Sequence, residues 1–243
     1  MMYHELHKNT SKRVFANWCG KMKKFLRKFT MTLSGLCLLT TAAYGDVTSE
    51  DEAGTVVRLE GVALAIQDAL PRVLKPGEKI YIGDILSTGK EARLEVKIND
   101  GTIFNLGERS SFNVIDFTFF TGEDASKSKG VFRLLQGAVN GATGKLASLG
   151  GIDIKGDAAT IGIRGTAFWV GDMPDGSLGV VHWKGGGLDV SNDKGSVQFD
   201  GNGEGSEIKE GAPKTWARWK QNYARWSVDF DAGPRPYVPD HAK

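Results

Sequence analysis

The sequence predicts an all-β fold: a single compact domain of many short strands, β-solenoid-like or a sandwich, with one amphipathic helix near the C-terminus. Three observations predict it. Short runs of alternating apolar and polar residues recur at even spacing, breaks at Gly or Asp-Gly separate them, and Gly accounts for 32 of the 243 residues. No helical pattern of about ten residues intervenes between the runs, which argues against a doubly wound parallel sheet.

Residues 1–45 have the features of a secretory leader. A basic segment, Lys21–Lys28, precedes the apolar stretch Phe29–Leu39, and Ala43–Gly45 places small residues where a signal peptidase needs them. We therefore expect cleavage near Gly45 and a periplasmic or secreted protein.

Two alternatives concern this leader. Met22 is a natural start, in which case residues 1–21 are an upstream extension. The leader could instead stay uncleaved as a membrane anchor, but its Thr- and Ser-containing apolar run falls short of the ~20 residues that a span needs. Contact with the membrane is expected only if the leader is retained.

Charge and cysteine usage separate the leader from the remaining chain. Of the 31 Lys and Arg residues, 8 lie in residues 1–45 with one acid, so residues 46–243 hold 23 basic and 28 acidic residues. This acidic balance argues against a nucleic-acid partner, because phosphates are bound by clustered Lys and Arg. Both cysteines, Cys19 and Cys37, also lie in the leader, which excludes disulfides and thiolate catalysis from the exported domain.

A short acidic linker is expected at residues 46–53, and the β domain at residues 54–211. Its strands are predicted at Val56–Glu60, Val62–Ile66, Lys79–Ile85, Arg93–Ile98, Thr102–Leu106, Phe112–Phe119, Gly130–Leu135, Thr160–Ile163, Thr166–Val170, Leu178–Trp183, Leu188–Ser191 and Ser196–Asp200.

One hairpin can be predicted to the level of its register. In Arg93–Ile98 every second residue is apolar, as in a half-buried strand. A two-residue turn at Asp100-Gly101 would mismatch the apolar faces, whereas a three-residue loop at Asn99–Gly101 aligns them and requires Gly101 in the left-handed region. The predicted pairs are Val96 with Phe104 and Leu94 with Leu106.

The segment 212–230 contains the predicted helix, Thr215–Trp226, and a Pro-rich tail follows at residues 231–243. Thr215 can cap the helix, and four aromatic residues share one of its faces. This face either docks on the sheet as a lid or contacts a partner or a membrane surface. The four residues are Trp216, Trp219, Tyr223 and Trp226.

Two blocks of the sequence resemble the FecR-like domain of bacterial envelope proteins. The first is GDILSTG at Gly83–Gly89, followed by ARLEVKINDGT at Ala92–Thr102; the second is VFRLLQGAV at Val131–Val139, with ATIGIRGTAF at Ala159–Phe168. The resemblance covers about residues 54–200 and implies an exported all-β domain without catalytic activity. The motif residues to which we assign a structural role are Gly83, Asp84, Gly89, Asp100, Gly101, Arg133, Gly137, Gly162, Arg164, Gly165 and Thr166.

The best-known members of that family are transmembrane regulators that read an outer-membrane iron transporter and control a sigma factor. In this chain we expect neither the N-terminal cytoplasmic regulatory domain nor a span that would follow it. Only the extracytoplasmic module is therefore expected to carry over.

Arg164 has two interpretations. Gly162 and Gly165 lie on either side of it, so the backbone can turn sharply or approach another strand closely. The five donors of its guanidinium suit strand-end carbonyl oxygens or a carboxylate, as in a structural clamp. The alternative is that Arg164 contacts a ligand or a partner.

The motifs typical of catalytic, cofactor and metal sites are missing, so the sequence predicts a non-enzyme without cofactor or metal. Asp200–Gly205 (DGNGEG) opens like a calcium loop, but Gly211 stands where the bidentate Glu belongs, so we expect a glycine-rich turn. His182 has no second His spaced to share a metal. The adjacent acids Glu123 and Asp124 lie in a polar loop and are poorly held for acid–base catalysis.

The leading hypothesis is an exported, non-enzymatic binding or signal-sensing module that contacts an envelope protein, either by adding a strand or through its aromatic helix. The alternative is a structural or carbohydrate-contacting envelope protein that touches cell-wall glycan. A glycan-active enzyme on a β-solenoid is less favoured.

Overall fold

The computed structural model describes residues 51–149 and 151–215, which form a predominantly β structure. The chain divides into two units, Met1–Val47 and Thr48–Lys243, and every described residue belongs to the second. Two 3₁₀ turns, Gly122–Lys127 and Leu146–Ser148, accompany the strands. In chain order the strands are β1 (Glu52–Glu60), β2 (Ala63–Gln67), β3 (Leu70–Val73), β4 (Lys79–Tyr81), β5 (Ile85–Thr88), β6 (Arg93–Ile98), β7 (Ile103–Leu106), β8 (Ser111–Thr118), β9 (Lys129–Gln136), β10 (Ala138–Ala142), β11 (Ile152–Lys155), β12 (Thr160–Ile163), β13 (Thr166–Asp172), β14 (Leu178–Gly185), β15 (Leu188–Asn192), β16 (Gly195–Phe199) and β17 (Gly205–Ile208).

These strands form two sheets, and the all-β prediction is confirmed. Sheet A has eight strands in the order β17-β14-β13-β10-β7-β6-β1-β4, and sheet B has nine in the order β16-β15-β12-β11-β9-β8-β5-β2-β3. The chain passes repeatedly from one sheet to the other, and later strands join the same end of each sheet. Strands β9 and β11 pair in parallel, while the hairpins pair antiparallel. The fold thus combines a two-sheet sandwich with solenoid-like progression, the two arrangements that the sequence left open.

The two sheets enclose one hydrophobic core, and four fully buried phenylalanines from both sheets lie within it. Phe104 of β7 makes edge-to-face contacts with Phe112 and Phe132 of sheet B, with ring centroids 5.2 and 4.8 Å apart, and with Phe168 of β13 at 6.3 Å. Phe112 and Phe132 stack on each other at 5.5 Å. Aromatic pairs of this geometry contribute about 0.5–1.5 kcal/mol beyond the area they bury.

Gly141 of β10 leaves the space that two of these rings occupy. It pairs with Phe104 on one side and with Phe168 on the other. A Cβ at this position would overlap the Phe168 ring and would lie 3.2 Å from Phe104 Cδ1. A glycine normally weakens a strand, but here it is required by the packing of its neighbours.

The β6–β7 hairpin has the predicted register. Leu94 pairs with Leu106 and Val96 pairs with Phe104, and all four side chains are buried. Gly101 has a φ of +95°, which is the left-handed conformation that the three-residue loop requires. The prediction of this hairpin is therefore confirmed.

Other strand boundaries differ from the prediction. The segment Lys79–Ile85, predicted as one strand, is divided between β4 in sheet A and β5 in sheet B, because the chain turns at Gly83 with a φ of +92°. Strand β1 begins at Glu52, inside the predicted linker 46–53. Four strands were not predicted, β3, β10, β11 and β17. Of these, β3 and β10 contain Pro71 and Gly141, which weaken a strand pattern, and β11 and β17 have four residues each.

Several predictions fall outside the described residues. They are the leader 1–45, the helix from Trp216 onward with its stripe Trp216, Trp219, Tyr223 and Trp226, and the tail 231–243. Residues 212–215, the first part of the predicted helical segment, are described and are not helical; Pro213 has no N–H to donate. Among the described residues, no helix has the length and apolar character needed to cross a membrane.

Because the hairpin loop requires Gly101 in the left-handed region, Gly101→Val should be destabilising. A β-branched residue at a φ of +95° is strained, so we expect the free energy of unfolding to fall by about 1–2 kcal/mol. Denaturant unfolding measures the change. Gly101→Asn is the matched control, because Asn tolerates the left-handed region, and it should lose clearly less. Equal stability of the Val variant and the wild type would refute the assigned loop.

The packing of Gly141 predicts a second difference in stability. Gly141→Ala introduces a methyl group into the Phe168 ring and should lower the free energy of unfolding by about 1–3 kcal/mol. Gly162→Ala is the control, because the nearest atoms to a Cβ in that strand lie 3.6 Å away, an ordinary contact. Thermal or denaturant unfolding of both variants tests this. A Gly141→Ala variant as stable as Gly162→Ala would contradict the packing described.

Candidate functional site

Most glycines of the two sequence blocks lie where the chain passes between the sheets. Gly83 lies between β4 and β5, Gly89 between β5 and β6, Gly137 between β9 and β10, and Gly165 between β12 and β13. Gly83, Gly137 and Gly165 have φ values of +92°, +84° and +77°. The backbone reverses direction at these points in conformations that other residues rarely adopt.

Asp84 stabilises the first of these crossings from a fully buried position. Its Oδ2 accepts a hydrogen bond from the Tyr81 N–H at 2.8 Å and forms an ion pair with Arg72, whose guanidinium lies over the Tyr81 ring. Burial raises the pKa of the Asp84 carboxyl above its ordinary value, because the loss of hydration outweighs the Tyr81 N–H and the Arg72 charge. The contacts of Asp84 are therefore those of a residue that stabilises the fold.

Two hydroxyl groups perform a similar task at the crossing near Gly137. Thr88 Oγ1 donates to the Gly107 carbonyl at 2.6 Å and accepts from the Ser110 N–H at 2.8 Å. Ser110 Oγ accepts from the Ala138 N–H at 3.0 Å. A Cβ on Gly137 would lie 2.6 Å from Ser110 Cα, so the two backbones touch. Thr88 and Ser110 were not among the predicted site residues, although Thr88 lies inside the first block.

Asp100 anchors the hairpin loop to the 3₁₀ turn at Leu146–Ser148. Its side chain is 3% exposed and accepts hydrogen bonds from the N–H groups of Thr102 at 2.9 Å and Leu146 at 3.0 Å. Thr166, also buried, accepts through its carbonyl oxygen from the Thr143 N–H at 3.1 Å. These motif residues thus hold loops against strand ends.

The two motif arginines differ from this group because they lie on the outer surface of sheet B or beside it. Arg133 pairs with Asp157 at 3.4 Å and Arg164 pairs with Asp189 at 2.8 Å. The Arg164 side chain is 73% exposed. An exposed ion pair contributes about 0–1 kcal/mol. The structural-clamp interpretation expected Arg164 to contact strand-end carbonyl oxygens or a carboxylate, and Arg164 does contact a carboxylate. Because this ion pair is exposed, it adds little to stability.

A surface depression of about 390 Å³ lies beside Arg164. Gly162, in extended conformation, leaves the area between Asp153 and Asp189 without a side chain, since both lie 3.6 Å from where its Cβ would be. Leu149 contributes an apolar side chain that is 39% exposed. The depression combines an oriented guanidinium, carboxylates and an exposed aliphatic group, which is the chemistry of a recognition surface. Its lining residues include Ala147, Ser148, Leu149, Asp153, Gly162 and Arg164.

The glycine-rich loop and His182 form a buried structural contact. Glu204 folds back over the loop, and its carboxylate accepts from the Asp200 N–H at 3.1 Å and the Gly201 N–H at 2.8 Å. His182 is fully buried, with Nδ1 2.9 Å from the Gly201 carbonyl oxygen, so Nδ1 donates. Within residues 51–149 and 151–215, no cluster of three or more His, Cys, Asp and Glu residues could hold a metal ion.

Comparison with known proteins identifies the central part of this structure. The family model described as FecR protein matches residues 84–186, a shorter range than the 54–200 expected from the sequence. A comparison with curated proteins finds no match.

Among solved structures, two crystal structures of a candidate anti-sigma factor from Parabacteroides distasonis ATCC 8503 are similar. Each has a TM-score of 0.47 and 14% sequence identity, and the alignment covers 58% of this chain and 63% of the other, which is less than two thirds of its length. The range that matches the FecR family model, residues 84–186, contains Asp84, Arg133, Arg164 and the depression beside Arg164. Residues 84–186 are a FecR-like domain.

Proposed function

We propose that this chain is an exported, non-enzymatic sensing module of the bacterial envelope, and that its FecR-like domain binds a partner protein through the surface around Arg164. The match of residues 84–186 to the FecR family supports a regulatory role in signalling with protein partners. The leader at residues 1–45 supports export to the periplasm or the exterior.

The observation that carries the proposal is the exposed guanidinium of Arg164 at the depression. Asp189 orients it at 2.8 Å, while 73% of the side chain stays accessible. An arginine already held in place loses less conformational entropy on binding, and Arg is enriched among the residues that dominate interface energetics. Its remaining donors suit a partner carboxylate or backbone carbonyl.

The rest of the surface supports a protein partner. Leu149 offers an exposed aliphatic contact next to the guanidinium, and Ser148 and Asp153 provide polar groups around it. An apolar contact inside a polar rim is typical of protein interfaces. Strand addition remains a second mode of contact, because β16 is an edge strand of sheet B whose one partner among the described strands is β15.

Arg164→Glu should strongly reduce partner capture. In a pull-down from an envelope extract, wild-type protein is expected to recover a stoichiometric protein partner, and the variant should recover about tenfold less, as for an interface residue worth about 1.4 kcal/mol. Arg133→Glu is the matched control, because Arg133 is also an exposed, ion-paired arginine of sheet B. Thermal unfolding should show that both variants fold.

Two outcomes would refute this assignment. Equal recovery by the Arg164 and Arg133 variants would remove the surface around Arg164 from the interface. Retention of the wild type on isolated cell-wall glycan, without any protein partner, would favour the structural or carbohydrate-contacting alternative.

Export makes a separate prediction. Protein recovered from cells is expected to begin at Asp46, because the signal peptidase would cut after Gly45. N-terminal sequencing of the envelope fraction measures this directly. A first residue at Met1 or Met22 would show that the leader is retained and would make the chain membrane-anchored or unexported.

A further inference from the structure

Each of the two sheets ends in two edge strands among the described strands, and three of these four edges are poorly suited to pair with another chain. β4 has three residues, and β17 has four residues, three of them buried. β3 contains Pro71, which has no N–H to donate. Because the Leu74 N–H donates to the Ala63 carbonyl oxygen at 2.9 Å, alternate residues of β3 bond to β2, and Pro71 lies on the side away from β2.

The fourth edge, β16 of sheet B, has none of these features. Its sequence, GSVQF, contains no proline and no charged residue. Ser196 and Gln198 are exposed, and Val197 between them is partly buried against the core. The strand is therefore an accessible edge without the usual protection against pairing.

The hydrogen bonds of β15 show which backbone groups of β16 point outward. The Arg164 N–H donates to the Gly187 carbonyl oxygen at 3.3 Å, so every second residue of β15 counted from Gly187 bonds to β12. The residues of β16 opposite this set direct their own N–H and carbonyl groups away from the sheet, and no described residue bonds to these groups. They are Ser196 and Gln198.

These outward groups are complementary to those of a second β16. Two copies can pair antiparallel about a two-fold axis that passes between their Val197 residues. Ser196 of one copy then lies opposite Gln198 of the other, and each such pair exchanges both of its N–H···O bonds. The same register brings Lys194 of each copy opposite Asp200 of the other. Shifting the register by two residues in either direction would place Lys194 opposite an uncharged residue.

The two charged residues are exposed, and the backbone that carries them is held in place. The Lys194 N–H donates to Asn192 Oδ1 at 3.0 Å in the turn before β16. After the strand, the Asp200 N–H donates to the Glu204 carboxylate at 3.1 Å, and Asp200 Oδ1 accepts from Gln198 Nε2 at 3.2 Å. Neither Lys194 nor Asp200 forms an ion pair with a described residue, so both charges are available to a second copy.

We infer that β16 joins two copies of this chain edge to edge, so that sheet B continues across the two-fold axis as one antiparallel sheet. The occupant is a second copy because the edge is self-complementary in both its backbone groups and its flanking charges. The two-fold axis is perpendicular to the sheet, so the outer faces of both copies lie on the same side. This contact goes beyond the proposed function and is independent of it, because partner binding uses the surface around Arg164.

Sedimentation velocity of the full chain, under reducing conditions and at up to about 1 mM, tests the dimer. The wild type should show a concentration-dependent monomer–dimer equilibrium. Lys194→Glu and Asp200→Lys should each weaken dimerisation about tenfold or more, because each places like charges opposite one another in both symmetric pairs. An equimolar mixture of the two variants should recover dimers of about wild-type affinity, because the mixed dimer again combines opposite charges in both pairs.

Lys155→Glu is the matched control. Lys155 is an exposed lysine of β11 on the same outer face, away from the edge strand, and its substitution should leave the equilibrium unchanged. A wild type that stays monomeric at about 1 mM would overturn the inference, even if β16 captured a strand of another envelope protein. It is equally overturned if the mixture dimerises no better than either variant alone, or if Lys155→Glu weakens the dimer as much.

Discussion

A chain that alternates between two facing sheets must bury polar backbone at every crossing, and this constraint organises the molecule. Unpaired N–H and carbonyl groups at these points would each destabilise the fold. Asp84, Thr88, Asp100 and Ser110 supply the missing partners from buried positions. Left-handed glycines such as Gly137 supply the matching backbone geometry. The residues of the FecR blocks are therefore concentrated where the sheets are joined.

The sequence predicted the features that depend on near neighbours. The register of the β6–β7 hairpin follows from alternation and one loop glycine, and both are observed. The turn at Gly165 also follows from local chemistry. Features that depend on distant strands were not accessible. Arg72 forms its ion pair with Asp84 from β3, an edge strand that the sequence pattern did not reveal because it contains Pro71. Trp169 belongs to a separate cluster, although its two neighbours along β13 lie in the core between the sheets.

The candidate site shows the same difference between features set by near neighbours and features set by distant strands. Arg164 was recognised as a motif residue, but its role depended on where a carboxylate from β15 would lie, and Asp189 joins it only through sheet pairing. Gly162 was expected to permit a tight approach; in the structure it instead leaves an open area between two carboxylates. Sheet B thus presents the depression and its charged groups on a surface that only the pairing of its strands assembles.

The order of the strands has a consequence for how the domain assembles. Later strands pair at the end of each sheet left open by earlier ones, so hairpin partners are close in the chain and the first loops to close are short. A polypeptide that folds from its N-terminus can therefore consolidate each layer before the next one pairs. Each sheet then grows at one end only, opposite its early edge strand β4 or β3, which limits the opportunity for wrong pairing with other chains.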